Sequence, residues 1–299
     1  MGISKIHFIG MGALGSSFAA QVLKNHPQEL RVIAGEKRQK KLADGIFVNG
    51  QHFNLTFADP REAAELIIVA VKYPELSSAI ADMAPYVGPN TLILTILNGL
   101  KSYEILQKAF GAEKVIAGFG IAMDCSKNGN HIFYKNLGRI TFGDETNTNK
   151  SERILRVEKF FERNQIPYEI PKDMNRAMWF KFMLNTGVNQ ASSFLGLPFI
   201  EFQKDGEPRE LMKSAAQEVI NIAKAKDVDL RDSDIEVMVD IINKLDPHGK
   251  TSMLQDIEAG RKTEVEYFSG HILEMGRGLG IATPINEKLL KEIKKLESR

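Results

Sequence analysis

The chain carries a single cysteine, Cys125, among 299 residues. That excludes an intrachain disulfide and leaves no multi-cysteine zinc site. Net charge is nearly absent: 39 Lys and Arg against 38 Asp and Glu give +1. No global field therefore draws the chain to nucleic acid. No apolar run approaches the ~18 residues of a membrane helix, so neither a membrane nor a nucleic-acid partner is expected. His7, His26, His52, His131, His248 and His271 fall at no metal-ligand spacing, and no metal is expected. The N-terminus has one early lysine, Lys5, and then a short apolar stretch with glycines, unlike a signal peptide; the cytoplasm is the expected compartment. Internal repeats and low-complexity segments are lacking. What remains is 43% hydrophobic, enough for a sizeable core, and at ~100–200 residues per domain the length suggests two domains.

The first half alternates short apolar runs with amphipathic stretches. Residues 5–9, 31–34, 66–71, 91–97 and 115–121 read as strands, and the continuous runs LIIVAV and TLILTIL suit strands buried on both faces of a parallel sheet. Helices are expected over 13–25, 74–83 and 102–110. This alternation predicts an α/β fold with a doubly wound, Rossmann-type sheet. Residues 131–142 read as a hairpin pair turning near Asn136 and Gly138. Next come a helix over 151–164 with Ser151 as N-cap and a last strand over 166–170. Beyond Asp173 strand signals nearly vanish. Helices are expected over 175–192, 207–226, 232–245, 263–277 and 286–296. The expected organisation is a dinucleotide-binding domain over 1–170 and an all-helical substrate domain over 171–299.

Gly10-Met11-Gly12-Ala13-Leu14-Gly15 comes after an apolar strand and opens a helix. In that context Gly10 permits a tight turn, Gly12 lets backbone approach a pyrophosphate, and Gly15 lets helix pack on strand. The helix start offers free N–H groups and a positive dipole end to phosphates. After the second strand come Gly35-Glu36-Lys37-Arg38. Glu36 suits the ribose diol of NAD, whereas Lys37 or Arg38 suits the 2′-phosphate of NADP; a solvated helix start reads equally well.

Lys181, Asn185 and Asn189 recur at i, i+4 and i+8, along one face of a continuous helix. Trp179, Phe180, Phe182 and Met183 surround the lysine in sequence. Partial burial would lower its pKa toward the range of a general acid, and the amides could orient a carboxylate or hydroxyl. A snorkelling lysine with buried structural amides fits the same pattern. Further on, Ser252 could cap a helix or touch a ligand. Thr263 with Glu266 three residues later fits a capping box, with Glu264 at the helix start.

Together these motifs resemble the ketopantoate reductase (2-dehydropantoate 2-reductase) family over almost the whole chain. The resemblance rests on GMGALG, Val71-Lys72, Asn98-Gly99, Trp179-x-Lys181-x-x-x-Asn185, Thr251-Ser252-Met253-Leu254-Gln255-Asp256 and Thr263-Glu264. It implies a Rossmann domain followed by a helical domain, with the active site between them. It implies Lys181 as catalytic proton donor. Asn98, Asn185, Asn189, Ser252 and Glu264 are implied as substrate-binding residues, Glu264 taking the substrate's hydroxyl end. The residues from Gly10 to Gly15, with Lys37, Arg38, Lys72 and Asn98, are implied to hold the cofactor.

The expected activity is NADPH-dependent reduction of 2-dehydropantoate to (R)-pantoate, in the pathway to pantothenate and coenzyme A. In NADP-using members an arginine often comes directly after the second strand, where this chain has Gly35. The alternative is an NADH-dependent D-2-hydroxyacid dehydrogenase acting on other branched 2-keto acids. A third is a dinucleotide sensor without turnover. The partner is a small 2-keto acid, and apolar side chains of the helical domain are candidates for a homodimer interface.

Overall fold

The computed structural model describes residues 2–298. Contacts divide the chain into two units. The first holds the residues up to Asn98 and Ser102–Met174, and the second holds Gly99–Lys101 and the residues from Asn175 onward.

In the first unit β1 (Ile6–Ile9), α1 (Ala13–Asn25), β2 (Leu30–Ile33) and α2 (Glu36–Lys41) come first. Next are two short strands, β3 (Ile46–Val48) and β4 (Gln51–Phe53), then β5 (Leu66–Val69), α3 (Leu76–Met83), β6 (Leu92–Thr95), α4 (Lys101–Phe110) and β7 (Val115–Ile121). The unit ends with β8 (Ser126–Asn128), β9 (His131–Phe133), β10 (Arg139–Gly143), α5 (Glu152–Arg163) and β11 (Tyr168–Glu169). The main sheet runs β11-β10-β7-β6-β5-β1-β2. From β2 to β7 every pairing is parallel, and β10 lies antiparallel to β7. Every residue of β1, β5 and β6 is buried, as the continuous apolar runs require of strands covered by helices on both faces. The chain leaves β1 toward β2 on one side and returns to β5 on the other. That reversal makes a topological switch point, with a crevice outside the carboxyl ends of β1 and β5.

A second sheet, β4-β3-β9-β8, escapes sequence reading. Its strands are three residues each, too short for a visible period. One face buries Ile46, Val48 and Ile132 in the same core as Phe18, Ala19 and Val22 of α1. The small sheet thus covers the side of α1 that the main sheet cannot. It also corrects the expected hairpin over 131–142: β9 pairs with β8 and β3, whereas β10 joins the main sheet. The two runs belong to different sheets because each already has partners elsewhere. Ser151 caps α5 as expected, accepting from the Ile154 N–H at 3.4 Å.

The second unit is helical: α6 (Met174–Leu184), α7 (Gln190–Leu195), α8 (Glu207–Ala225), α9 (Asp234–Asn243), α10 (Ser252–Glu258), α11 (Ser269–Leu279) and α12 (Pro284–Glu297). The helical stretch expected over 175–192 forms, widened by a π turn at Asn185–Asn189 between α6 and α7. Gly187 sits in that turn because α8 comes close. A Cβ there would lie 3.0 Å from the Met212 carbonyl oxygen and 3.4 Å from the Ala216 Cβ. Two caps are also corrected. Thr251, not Ser252, caps α10, accepting from the Leu254 N–H at 3.2 Å. The capping box at Thr263 does not form. Thr263 donates to the Glu297 carboxylate at 2.5 Å, a 3₁₀ turn runs Val265–Tyr267, and α11 begins only at Ser269.

A buried polar network ties these helices together. The Glu218 carboxylate on α8 accepts from the backbone N–H groups of Ile285 (2.8 Å) and Asn286 (2.9 Å). It also accepts from Asn286 Nδ2 at 2.7 Å. It therefore satisfies donors in the first turn of α12, where the helix dipole favours an anion. Asn286 Oδ1 accepts from Gln190 Nε2 at 3.1 Å, and Ser269 Oγ donates to Gln190 Oε1 at 2.6 Å. Removing the carboxylate strands buried donors, each costing about 1–3 kcal/mol. Glu218→Ala is therefore expected to destabilise the second unit by about 3 kcal/mol. Urea unfolding followed by fluorescence of Trp179, the chain's one tryptophan, checks this; an unchanged midpoint would show that the network contributes nothing.

Candidate active site

The glycine loop fits an anion at the switch point. Gly10 has φ +98°, and a Cβ on it would lie 2.5 Å from the Ala70 carbonyl carbon and oxygen. A Cβ on Gly15 would overlap the Gly10 carbonyl oxygen. These two glycines bring the end of β1, the start of α1 and the end of β5 together. Gly12 differs: a Cβ there would meet nothing within 4 Å. Open space therefore faces backbone at the N-cap of α1, where no side chain satisfies the first N–H groups. A phosphate group can approach at that point and accept from them. Met11 is buried, while Ala13 and Leu14 are half-buried.

The other nucleotide candidates of this unit stand beyond the carboxyl ends of the same parallel strands. Gly35-Glu36-Lys37-Arg38 lies after β2, Lys72 after β5, and Asn98 after β6. Lys72 is exposed and Asn98 half-buried. Beyond β2 lies a cavity of about 530 Å³ walled by Ile9, Ile33, Val71 and the start of α2. This is room for the adenosine end of a dinucleotide. Arg38 is paired with Glu75 across it at 2.8 Å. One cation was not visible in the sequence. Lys127, on β8, donates a hydrogen bond to the Met11 carbonyl in the glycine loop. No signal could have found it, since only the small sheet brings β8 to the loop.

In the second unit Lys181 lies in the last turn of α6 and is half-buried. Desolvation lowers its pKa from 10.5 to about 8. Its neighbour Phe182 is fully buried, meeting Trp179 edge-on and stacking on Phe268, each at 6.0 Å between centroids. The aromatic neighbours in sequence thus root α6 in the core, and Lys181 lies at its edge. Asn185 is 3% and Asn189 9% exposed. Both lie in the π turn, whose i→i+5 bonding breaks the i, i+4, i+8 register of an ideal α-helix. The buried Nδ2 of Asn185 and Oγ1 of Thr186 have no hydrogen-bond partner. Buried polar groups are rarely left so without a reason, and an unfilled amide donor one turn from a depressed lysine can receive a carboxylate or carbonyl oxygen. Gln190 Nε2 holds the Thr186 carbonyl at 2.8 Å, so the buried network steadies this turn.

Ser252 is exposed at the first position of α10, a helix that packs on the π turn and α7. Glu264 is half-buried and opens the 3₁₀ turn that packs on α11 and α12. Two further groups are shifted by burial. His7 is buried, meets Tyr86 edge-on at 5.3 Å, and burial takes its pKa down to about 4. Burial pushes the Cys125 thiol up, away from nucleophilic use.

Comparison with known proteins identifies the family over most of the chain. Residues 6–147 match the family model Ketopantoate reductase PanE/ApbA, and residues 173–297 match Ketopantoate reductase PanE/ApbA C terminal. A 2-dehydropantoate 2-reductase of Aquifex aeolicus is 26% identical over 99% of this chain and 97% of its own. The uncharacterized oxidoreductase YkpB of Bacillus subtilis is 22% identical over 98% and 99%. Among solved structures, a PanE/ApbA family ketopantoate reductase from Ralstonia eutropha superposes with TM-score 0.85 at 22% identity, covering 98% of each chain. A D-mandelate dehydrogenase with NADH and anilino(oxo)acetate gives TM-score 0.85 at 20% identity, also covering 98% of each. These two structures share the fold. Among the described residues no helix is long and apolar enough to cross a membrane, and no cluster could hold a metal ion.

Carbon-13 NMR of the reductively methylated protein checks the lysine. One resonance is expected to titrate near pH 8, where Lys181 is placed, and to vanish in Lys181→Arg. If every lysine titrates near ~10.4, the ordinary value, Lys181 is not desolvated.

Proposed function

Because the chain belongs to the ketopantoate reductase family, we propose that it reduces 2-dehydropantoate to (R)-pantoate with NADPH. Its product would serve pantothenate and coenzyme A synthesis in the cytoplasm. The observation that carries this reading is Lys181, with its pKa near 8, one turn from the unfilled amide of Asn185.

A nicotinamide supplies the hydride in such a reduction, so the protein's task is orientation and charge control. The residues from Gly10 to Gly15 take the pyrophosphate on the open start of α1, and Lys72 and Asn98, beyond the carboxyl ends of β5 and β6, contact the cofactor. As hydride reaches the keto carbon, negative charge develops on the carbonyl oxygen. Lys181 stabilises that charge and gives up its proton there, leaving an alcohol and a neutral amine. A pKa near 8 keeps the lysine mostly protonated at neutral pH and makes it a far stronger acid than a solvated one. Asn185 and Asn189 donate to the substrate's oxygens, Ser252 adds a hydroxyl, and Glu264 accepts from the 4-hydroxyl. Asn98 contributes to both cofactor and substrate.

A specific observation favours a second reading, an NADH-dependent D-2-hydroxyacid dehydrogenase. Glu36 opens α2, where an acid can take a ribose diol, and Arg38 is neutralised by Glu75. The D-mandelate dehydrogenase of the same fold is described with NADH. Loss of 340 nm absorbance with both nucleotides and several 2-keto acids decides between the readings. The expected result is the highest kcat/KM with NADPH and 2-dehydropantoate. Higher values with NADH and 2-ketoisovalerate select the second reading, and nucleotide binding without turnover selects a sensor.

Lys181→Ala is expected to lower kcat by about 10²- to 10⁴-fold, the usual share of a general acid, with nucleotide affinity unchanged. Turnover requires the protonated amine, so the wild-type reduction rate is expected to hold below pH 8 and decline as pH rises through the lysine's value of about 8. A rate independent of pH from 7 to about 10, the span of the titration, would remove Lys181 from the chemistry.

A further inference from the structure

The cavity beyond β2 has no surplus of positive charge. Glu36, Glu75 and Asp82 in its wall balance Lys37, Arg38 and Lys41, and Arg38 is already tied to Glu75 at 2.8 Å. Gly35, the N-cap of α2, adds no side chain. A 2′-phosphate is a dianion or nearly so, and a balanced wall gives it no net attraction over a bare ribose.

Another element supplies the missing charge. Lys127 stands on β8, whose three residues are exposed. Its side chain runs back to the glycine loop and donates to the Met11 carbonyl, leaving the ammonium end half-buried. That burial, together with the field of the Arg38 guanidinium, holds Lys127 below the usual lysine range. Lys127 thus stands at Met11 of the glycine loop, two residues beyond Ile9 of the cavity wall, and Arg38 stands in that wall. Among the described residues no carboxylate pairs with Lys127. An anion bound by both cations would relieve their repulsion and the desolvation of Lys127.

We propose that Lys127 is the cation that recognises the 2′-phosphate of NADP(H), acting from the small sheet in place of an arginine after β2. Arg38 shares the phosphate once it leaves Glu75. The small sheet is then a specificity element as well as a cover for α1. This rests on the reading that the chain binds a nicotinamide dinucleotide.

Titration of NADPH and NADH fluorescence with the purified chain tests the proposal without turnover. Lys127→Met is expected to weaken NADPH binding about ten- to hundred-fold, as loss of one charge-assisted contact does, while NADH binding stays within about two-fold. Lys127→Arg is expected to keep most of the NADPH affinity. The proposal is overturned if wild type binds NADH at least as tightly as NADPH. It is equally overturned if Lys127→Met weakens both nucleotides alike, which would make the lysine a support of the loop. Failure of wild type to bind either nucleotide would instead sink the dinucleotide reading, and this proposal with it.

Discussion

A Cβ on Gly15 would overlap the carbonyl oxygen of Gly10, and a Cβ on Gly10 would run into the backbone at Ala70. Backbone meets backbone at the point where β1 ends, α1 begins and β5 passes alongside. The contact is possible only without side chains. It fixes the start of α1 relative to the sheet, and so it fixes where the unpaired N–H groups point. The open space before Gly12 has the same geometric origin, because a turn this tight carries the loop away from the neighbouring strands. The segments after β2, β5 and β6 can converge on one ligand because the parallel strands end on the same side. The small sheet then packs on the outer face of α1 and brings Lys127 to the loop.

The second unit solves a different problem. In the proposed reduction a lysine has to be held with enough water removed to become a usable acid, yet not so much that it loses its proton at neutral pH. Lys181 meets this at the end of α6, where Trp179 and Phe182 root the helix in the core and the lysine stays half-buried. Immediately beyond it the helix widens into a π turn. The turn departs from ideal α-helix geometry, and the buried Asn185 amide donor within it has no partner. The buried network of Gln190, Ser269, Asn286 and Glu218 holds the turn in place from behind. Buried polar atoms without partners, Asn185 Nδ2 and Thr186 Oγ1, thus lie within about a turn of a desolvated lysine.

Strands β1, β5, β6 and β7 were legible because strands buried on both faces must be continuously apolar. The glycine loop was legible because its spacing has a steric cause. The small sheet was not, since Ile46, Val48 and Ile132 show no period within strands of three residues. The capping box at Thr263 failed because Glu297, far along the chain, takes the threonine hydroxyl. Lys181, Asn185 and Asn189 were legible as residues of one helical segment, but the π turn that sets their true directions was not. Nothing local in the sequence shows that Met212 and Ala216 on α8 would crowd Gly187.

The alternation of strands and helices, the glycine-rich turn, the change to an all-helical second half and the family resemblance were all written in the order of the residues. Each depends on local sterics or on hydrophobic period, which neighbouring residues carry. The pairing of Arg38 with Glu75, the reach of Lys127 to Met11, the π turn and the depth of Lys181 arose only on folding. Those depend on groups distant in sequence, and charge, desolvation and hydrogen bonding respond to distance in space.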